Sequence, residues 1–176
     1  MEIKSTDKAS FKLVYDDCYV LLMRVCYHVV YNMDIAEDLV QEAFERFYVK
    51  NMTFPSTDDA KYWLIRVAKN LALNHVRRNR RELSTTERIK SYSPTSTTRD
   101  GGEVLSEKET VKEVREAISA LPENLRMVIL LKEYGHLDYQ AIGKVLGISE
   151  SNVKVRVHRA RKKLSDILTK EDGYVY

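Results

Sequence analysis

Between Ser151 and Ser165 the chain carries Lys154, Arg156, His158, Arg159, Arg161, Lys162 and Lys163 with no acidic residue among them. At about 100° per residue, Val153, Val157, Ala160, Leu164, Ile167 and Leu168 fall on one apolar stripe of a helix, leaving the cations, Ser151, Asn152 and Val155 on the rest of its surface. Such a helix is suited to approach phosphates. Ser151, Asn152, Val155 and Arg156, in its first turns, are placed nearest base edges, where Asn pairs with adenine and Arg with guanine; Lys154, Arg159 and Lys162 suit phosphate contacts. His158 is either a phosphate donor or a plain surface histidine. A second stretch, from Ala60 to Arg80, mixes Tyr62, Trp63, Leu64 and Val67 with Arg66, Lys69, Asn70, Asn74, His75, Arg77 and Arg78. Aromatic rings stack on bases, amides read their edges and cations hold the backbone. Trp63, at helical spacing with Leu64 and Val67, reads first as core and only second as a base contact. Asn70 and Asn74 lie four apart on one face, where asparagine has no propensity advantage, and the arginine run follows directly.

Bond-making chemistry is absent by comparison. No glycine loop cradles a phosphate, His and Cys are not clustered, and no nucleophile has a base at short spacing, so an enzyme is disfavoured and no catalytic residue or cofactor is expected. Cys18 and Cys26 would stand about 12 Å apart on a shared helix, beyond disulfide reach, and only His28 is near enough to join them. They read as reduced thiols, in the core or on the surface, rather than as metal ligands.

The elements that must position these residues are helical. Apolar residues recur with a 3.6-residue period almost throughout, with only six glycines and three prolines to interrupt it. One helix is expected from Phe11 to about Tyr31, with Phe11, Val14, Tyr15, Leu21, Leu22, Val25 and Val29 inward. Asn32 and Asp34 supply a break and a cap, and a second helix starts near Ile35 with the stripe Ala36, Leu39, Val40, Ala43, Phe44 and Phe47. Its other side, Asp38, Gln41, Glu42 and Glu45, is acidic and open to a partner. Asn51 to Asp58 reads as a loop ending in a cap for the helix from Ala60 to about Arg80. From Glu82 to Thr110 the sequence turns to Ser and Thr, adds Pro94, Gly101 and Gly102, and loses its period, which marks a flexible linker. The period resumes at Val111, passes Leu121 and Pro122, and stops at Gly135. Asp138 caps a short helix over Tyr139 to Leu146, Gly147 supplies a left-handed turn, and Ser149 caps the last helix, Glu150 to about Leu168. That is a helix-turn-helix. A basic run alone does not separate a solvated face from a binding one; a capped helix and glycine turn directly before it point to a recognition helix in the major groove.

The expected architecture is all-α, with two small helical domains joined by a flexible linker and the second a four-helix helix-turn-helix domain. Hydrophobic residues at 44% and charged residues at 31% fit a soluble globular protein. Arg24 and His28 interrupt the most apolar N-terminal stretch, so neither a membrane span nor a secretory signal is expected, and the cytoplasm is the expected location. The net charge of +3 is too small to imply nucleic acid, so the placement of the cations carries the inference.

Three stretches resemble the extracytoplasmic-function (ECF) sigma factors, the compact two-domain members of the bacterial RNA polymerase sigma superfamily. DIAEDLVQEAFERFY, Asp34 to Tyr48, is similar to the family's core-polymerase-binding helix, and YWLIRVAKNLALNHVRRNRR, Tyr62 to Arg81, to its promoter-melting and minus-10-reading segment. LPENLRMVILL, from Leu121, and LDYQAIGKVLGISESNVKVRVHRARKKL, ending at Leu164, resemble its minus-35-reading domain. The resemblance implies a sigma region 2 domain over 1–81, a linker over 82–110 and a sigma region 4 domain over 111–176. It implies that Asp38, Gln41, Glu42 and Glu45 bind the polymerase clamp helices, the flap being a second contact of the core enzyme. It assigns Tyr62, Trp63, Asn70, Asn74, His75, Arg77 and Arg78 to the minus-10 element, with the loop Asn51 to Asp58 receiving a flipped base. Ser151, Asn152, Lys154, Val155, Arg156, His158 and Arg159 go to the minus-35 element, and an anti-sigma factor is an expected partner. The chain departs from the family at Ala141, often Glu; at Gly143, usually Ala, where a slight loss of stability is expected; and at Asn152 and Val155, where Thr and Ser are common, so promoter preference does not carry over. The alternative is a helix-turn-helix regulator whose N-terminal half senses a ligand or dimerises; the aromatic and asparagine residues beside an arginine run in that half disfavour it.

Overall fold

The structure, a computed structural model, describes residues 2–86 and 109–171. Its elements in chain order are β1 (Ile3–Lys4), α1 (Lys8–Val30), α2 (Met33–Val49), β2 (Thr53–Phe54), α3 (Thr57–Thr86), α4 (Glu109–Ser119), α5 (Glu123–Ile129), α6 (Tyr139–Leu146) and α7 (Glu150–Glu171). The expected all-α architecture is present, with α1–α3 forming one helical domain and α4–α7 the other. Two very short strands were not expected. They pair antiparallel, Ile3 with Phe54 and Lys4 with Thr53. The linker expected over 82–110 is helical at both of its described ends, because α3 continues to Thr86 and α4 begins at Glu109; residues 87–108 lie outside the described residues.

Helix starts follow their caps rather than the first apolar residue. Asp7 accepts from the Ser10 amide at 2.8 Å, so α1 begins three residues before Phe11. Asn32 caps α2 by accepting from the Ile35 amide at 3.0 Å, and Asp34 lies inside the first turn. Ser56 Oγ accepts from the Asp59 amide at 3.2 Å and donates to the Asp59 carboxylate at 2.8 Å, which starts α3 inside what reads as a loop.

All six residues of the α2 stripe are buried. The α1 stripe needs revision: Val14, Leu21, Leu22 and Val25 are buried as expected, but Phe11 and Val29 are half-buried and Tyr15 is exposed, while Cys18, Cys26 and His28 take inward positions. Both cysteines are core thiols. Cys18 donates to the Val14 carbonyl at 2.9 Å and Cys26 to the Ala68 carbonyl at 3.7 Å, and burial pushes each thiol up to about 12. At that value neither is a reactive thiolate near neutral pH.

Beyond Ile129 the helix continues as a wide π turn, Leu130–Tyr134, in which the Gly135 amide donates to the Leu130 carbonyl at 3.2 Å. Gly135 ends this helix but not by a left-handed turn, since its φ is −88° and the left-handed residue is His136 at 52°. The glycine is required for space: a Cβ there would stand 2.7 Å from the Leu131 carbonyl oxygen and 3.0 Å from Leu21 Cδ2 of α1. Gly147, with φ 69°, is the left-handed residue expected of it. At Gly143 the expected loss of stability is reversed, because a Cβ would meet the Ile148 carbonyl oxygen at 2.7 Å where the chain closes the helix-turn-helix.

The two domains share a core and a polar junction. Arg126 of α5 donates to the carbonyls of His28 and of Leu121, the latter at 2.9 Å. Tyr31 donates to the Ser119 carbonyl at 3.2 Å, and Arg24 lies 4.1 Å over the Tyr134 ring. His28, 5% exposed, has its Nδ1 3.5 Å from Ser119 Oγ.

Candidate nucleic-acid and polymerase interfaces

On α7 the expected stripe docks only over its first half: Val153, Val157 and Ala160 are buried, whereas Leu164, Ile167 and Leu168 are half-buried. Asp138 accepts from the Ala141 amide at 2.7 Å to start α6, and Ser149 accepts from the Asn152 amide at 3.2 Å to start α7, as their sequence positions require. The result is a helix pair joined through the left-handed turn at Gly147. Ser151, Asn152, Lys154, Val155, His158 and Arg159 are exposed and Arg156 is half-buried.

The cations of this helix are not equivalent. Lys154 pairs with Glu150 at 2.8 Å and Arg161 with Glu133 at 2.7 Å, and each partner raises the pKa of its cation. These two lie on the flank toward Tyr139, whose ring is 5.9 Å from the Lys154 ammonium. Arg156 instead donates through Nε to Asn152 Oδ1 at 3.0 Å. Glu150 and Glu133, acidic partners from the first residue of α7 and from the π turn, do not stand out in the sequence; Glu150 stands four residues before Lys154, a helical salt-bridge spacing, while Glu133 is brought in only by the tertiary fold.

On α3 the structure brings Arg66, Asn70, Asn74 and Arg77 onto one exposed face by their spacing of four, four and three residues, with Arg78 beside them. Arg66, four residues before Asn70, is exposed on that face with them. His75 accepts from, or is held against, the Asn79 amide at 3.0 Å. Trp63 is half-buried, its ring centroid 6.0 Å from that of Phe47 and 6.1 Å from that of Phe54, so packing holds it first. Tyr62 is half-buried where α3 passes α6; burial, then Asp58, Asp138 and Asp59, raises the pKa of its hydroxyl. The segment before α3 is anchored: Phe54 is buried against Phe47, and the Met52 amide donates to Ser5 Oγ at 2.9 Å, leaving Thr53 and Pro55 exposed.

On α2, Asp38, Gln41 and Glu45 are exposed and Glu42 is half-buried. Gln41 donates to Glu45 at 3.1 Å, and Glu42 is offset by Arg46 at 2.6 Å, so Asp38 and Glu45 carry the uncompensated charge of this set among the described residues. The acidic face is also aromatic. Gln41 and Glu45 border a cleft of about 480 Å³ between α1 and α2 whose walls are Phe11, Tyr15, Tyr19, Phe44 and Tyr48. Phe11 and Tyr15 keep the helical period of the core stripe, and the cleft exists only once α1 and α2 are packed.

Among the described residues, no group of three or more His, Cys, Asp or Glu could hold a metal ion, and no helix is long and apolar enough to cross a membrane. Residues 14–82 match the family described as Sigma-70 region 2, and residues 112–164 match Sigma-70, region 4. The ECF RNA polymerase sigma factor SigW of Bacillus subtilis is 32% identical over 93% of this chain and 91% of its own length. SigM of the same organism is 29% identical over 85% and 91%. Among solved structures, the sigma factor RpoE from Bartonella quintana, in complex with the anti-sigma factor NepR, covers 93% of this chain and 98% of its own with a TM-score of 0.73 at 21% identity. CnrH, in complex with the cytosolic domain of CnrY, has a TM-score of 0.63 at 20% identity; at these identities the two structures speak for the fold. Two sigma-70 regions in order, each ending in the helix that bears a cationic face, and a relative 32% identical over 93% of the chain lead to one conclusion: the chain belongs to the ECF RNA polymerase sigma factors.

Proposed function

We propose that this chain delivers core RNA polymerase to promoters by dividing the work among the three faces described above. The domain over 1–81 docks on the polymerase clamp helices through Asp38, Gln41, Glu42 and Glu45 and meets the minus-10 element through Tyr62, Trp63, Asn70, Asn74, His75, Arg77 and Arg78. The segment Asn51 to Asp58, which runs through β2 into the first turn of α3, takes an exposed base. The domain over 111–176 lays α7 in the major groove of the minus-35 element and meets the polymerase flap, and the segment 82–110 tethers the two. Catalysis belongs to the polymerase, and the chain acts in the cytoplasm, where an anti-sigma factor holds it off the core enzyme; two structures of similar fold are complexes of that kind or with a cytosolic partner domain.

The observation that carries this reading is the capped, glycine-turned helix pair presenting Ser151, Asn152 and Val155 exposed, with the half-buried Arg156 beside them. Its test is transcription in vitro from a promoter library with the purified chain and core enzyme, in which discrete start sites should appear. Asp38→Arg should abolish core binding with the circular dichroism spectrum unchanged; wild-type affinity in that variant would remove the face assignment. Failure of the wild-type chain to redirect core polymerase to any start site would overturn the whole reading.

A further inference from the structure

One side-chain hydrogen bond ties two of the residues in the first turns of α7 to each other. Asn152 Oδ1 accepts from Arg156 Nε at 3.0 Å, one helical turn apart. An asparagine that reads adenine uses Oδ1 to accept from N6 and Nδ2 to donate to N7, so Oδ1 must face the base. Here it faces the guanidinium. Arg156 in turn keeps both terminal NH₂ groups for an acceptor in front of it, and the pair O6 and N7 of guanine in the major groove matches that fork. Holding Nε removes rotamer freedom that the long side chain would otherwise lose on binding.

Val155 stands next along the helix. A lone exposed valine is ordinary on a protein surface, but this one, 46% exposed, lies opposite the buried line of Val153, Val157 and Ala160. Ser151, His158, Arg159 and Lys162, all exposed, surround it. It offers no hydrogen bond. The one apolar group that base pairs display in the major groove is the thymine methyl.

Resting on the reading that α7 enters the major groove, we infer that Arg156, positioned by Asn152, reads one guanine of the upstream element and that the isopropyl group of Val155 covers the methyl of one thymine within about two base pairs of it. Asn152 is a positioning residue and reads no base of its own.

The test uses the full chain bound to core polymerase and a duplex carrying an upstream element selected in vitro by that holoenzyme. Each thymine of the element is replaced singly by deoxyuridine, which lacks only the methyl, and each guanine by 7-deazaguanine, which lacks the N7 acceptor. One thymine replacement should weaken binding about fourfold, the value of one buried methyl group, and Val155→Ala should abolish the difference between the two bases there. Asn152→Ala should relax preference at the same guanine as Arg156→Ala. Asn152→Asp, which still accepts from Nε but donates nothing, should keep that guanine preference even as its charge lowers overall affinity. Equal binding of every deoxyuridine duplex, or relaxation by Asn152→Ala at an A·T pair instead, would overturn the inference while promoter-selective binding by the wild-type holoenzyme left the proposed function standing. Loss of all sequence preference in the wild-type holoenzyme would overturn both.

Discussion

His28 is the buried polar group most exposed to a change of conditions. It is 5% exposed, and burial, followed by Arg126, Arg115 and Arg24, lowers it to about 4. The Tyr27 ring lies 5.5 Å from the imidazole and Ser119 Oγ 3.5 Å from its Nδ1, and the charged groups that shift it are all cationic. In the unfolded chain the imidazole takes its proton near pH 6.5, so acid favours the unfolded state. The stability that neutral His28 contributes is present above pH 6.5 and is lost as pH falls toward 4, by up to about 1.4 kcal/mol per pH unit in that window. Denaturant unfolding at pH 7 and pH 5 should show this loss, and His28→Gln, which keeps a polar group but cannot titrate, should remove it; the same pH dependence in that variant would place the titrating group elsewhere. Gly143 makes the second residue-scale case. Gly143→Ala improves helix propensity by about 1 kcal/mol, yet its Cβ would stand 2.7 Å from the Ile148 carbonyl oxygen, a backbone atom with little room to yield. The clash should win, with a net destabilisation of about 1 kcal/mol or more in chemical denaturation.

At the scale of elements, caps and close approaches decide what periodicity leaves open. Ser149 holds the first turn of α7, which also carries Ser151 and Asn152, so its loss should loosen the start of that helix. Ser149→Ala is expected to cost about 1 kcal/mol of stability. Hydrogen exchange of the α7 amides in that variant should quicken in the first turn and stay protected near Val157 and Ala160, which the core holds. The stripe of α2 was fully legible because every inward position is apolar and no tertiary contact displaces one. That of α1 was not: two cysteines and a histidine are inward, while Phe11 and Tyr15 wall a cleft that exists only against α2. Helix starts at Asp7, Asn32 and Ser56 follow polar caps ahead of the apolar period, so periodicity places them late. The exposed faces of α3 and α7 were legible as unbroken polar spacing. The Asn152–Arg156 pair was not used, although its spacing of four residues permits it. The π turn and the two-residue strands fall below what periodicity resolves.

Across the whole molecule, the sequence pointed to two domains but could not show how they meet, because each meeting residue has an ordinary role in its own helix. Arg126 is the clearest instance. From α5 it donates to the His28 carbonyl of the first domain and to the Leu121 carbonyl of its own, and its guanidinium carbon lies 5.3 Å from the Tyr31 ring centroid. Its Nε, by contrast, is buried without a hydrogen-bond partner among the described residues. The guanidinium therefore serves two carbonyls at a desolvation cost that only a closed junction repays. Arg126→Met keeps most of the side-chain volume and removes both donors, leaving the His28 carbonyl short of one partner; a loss of about 1.5–3 kcal/mol is expected for charged hydrogen bonds of this kind. The loss should fall on the coupling between the domains, since α1–α3 and α4–α7 each contribute many buried aliphatic residues of their own to the shared core. Calorimetry should then show one unfolding transition for the wild-type chain and two for Arg126→Met, with the midpoint of at least one lowered. A single, unshifted transition in Arg126→Met would mean that the apolar seam, where Leu21 packs against Gly135, holds the domains together without help from the guanidinium.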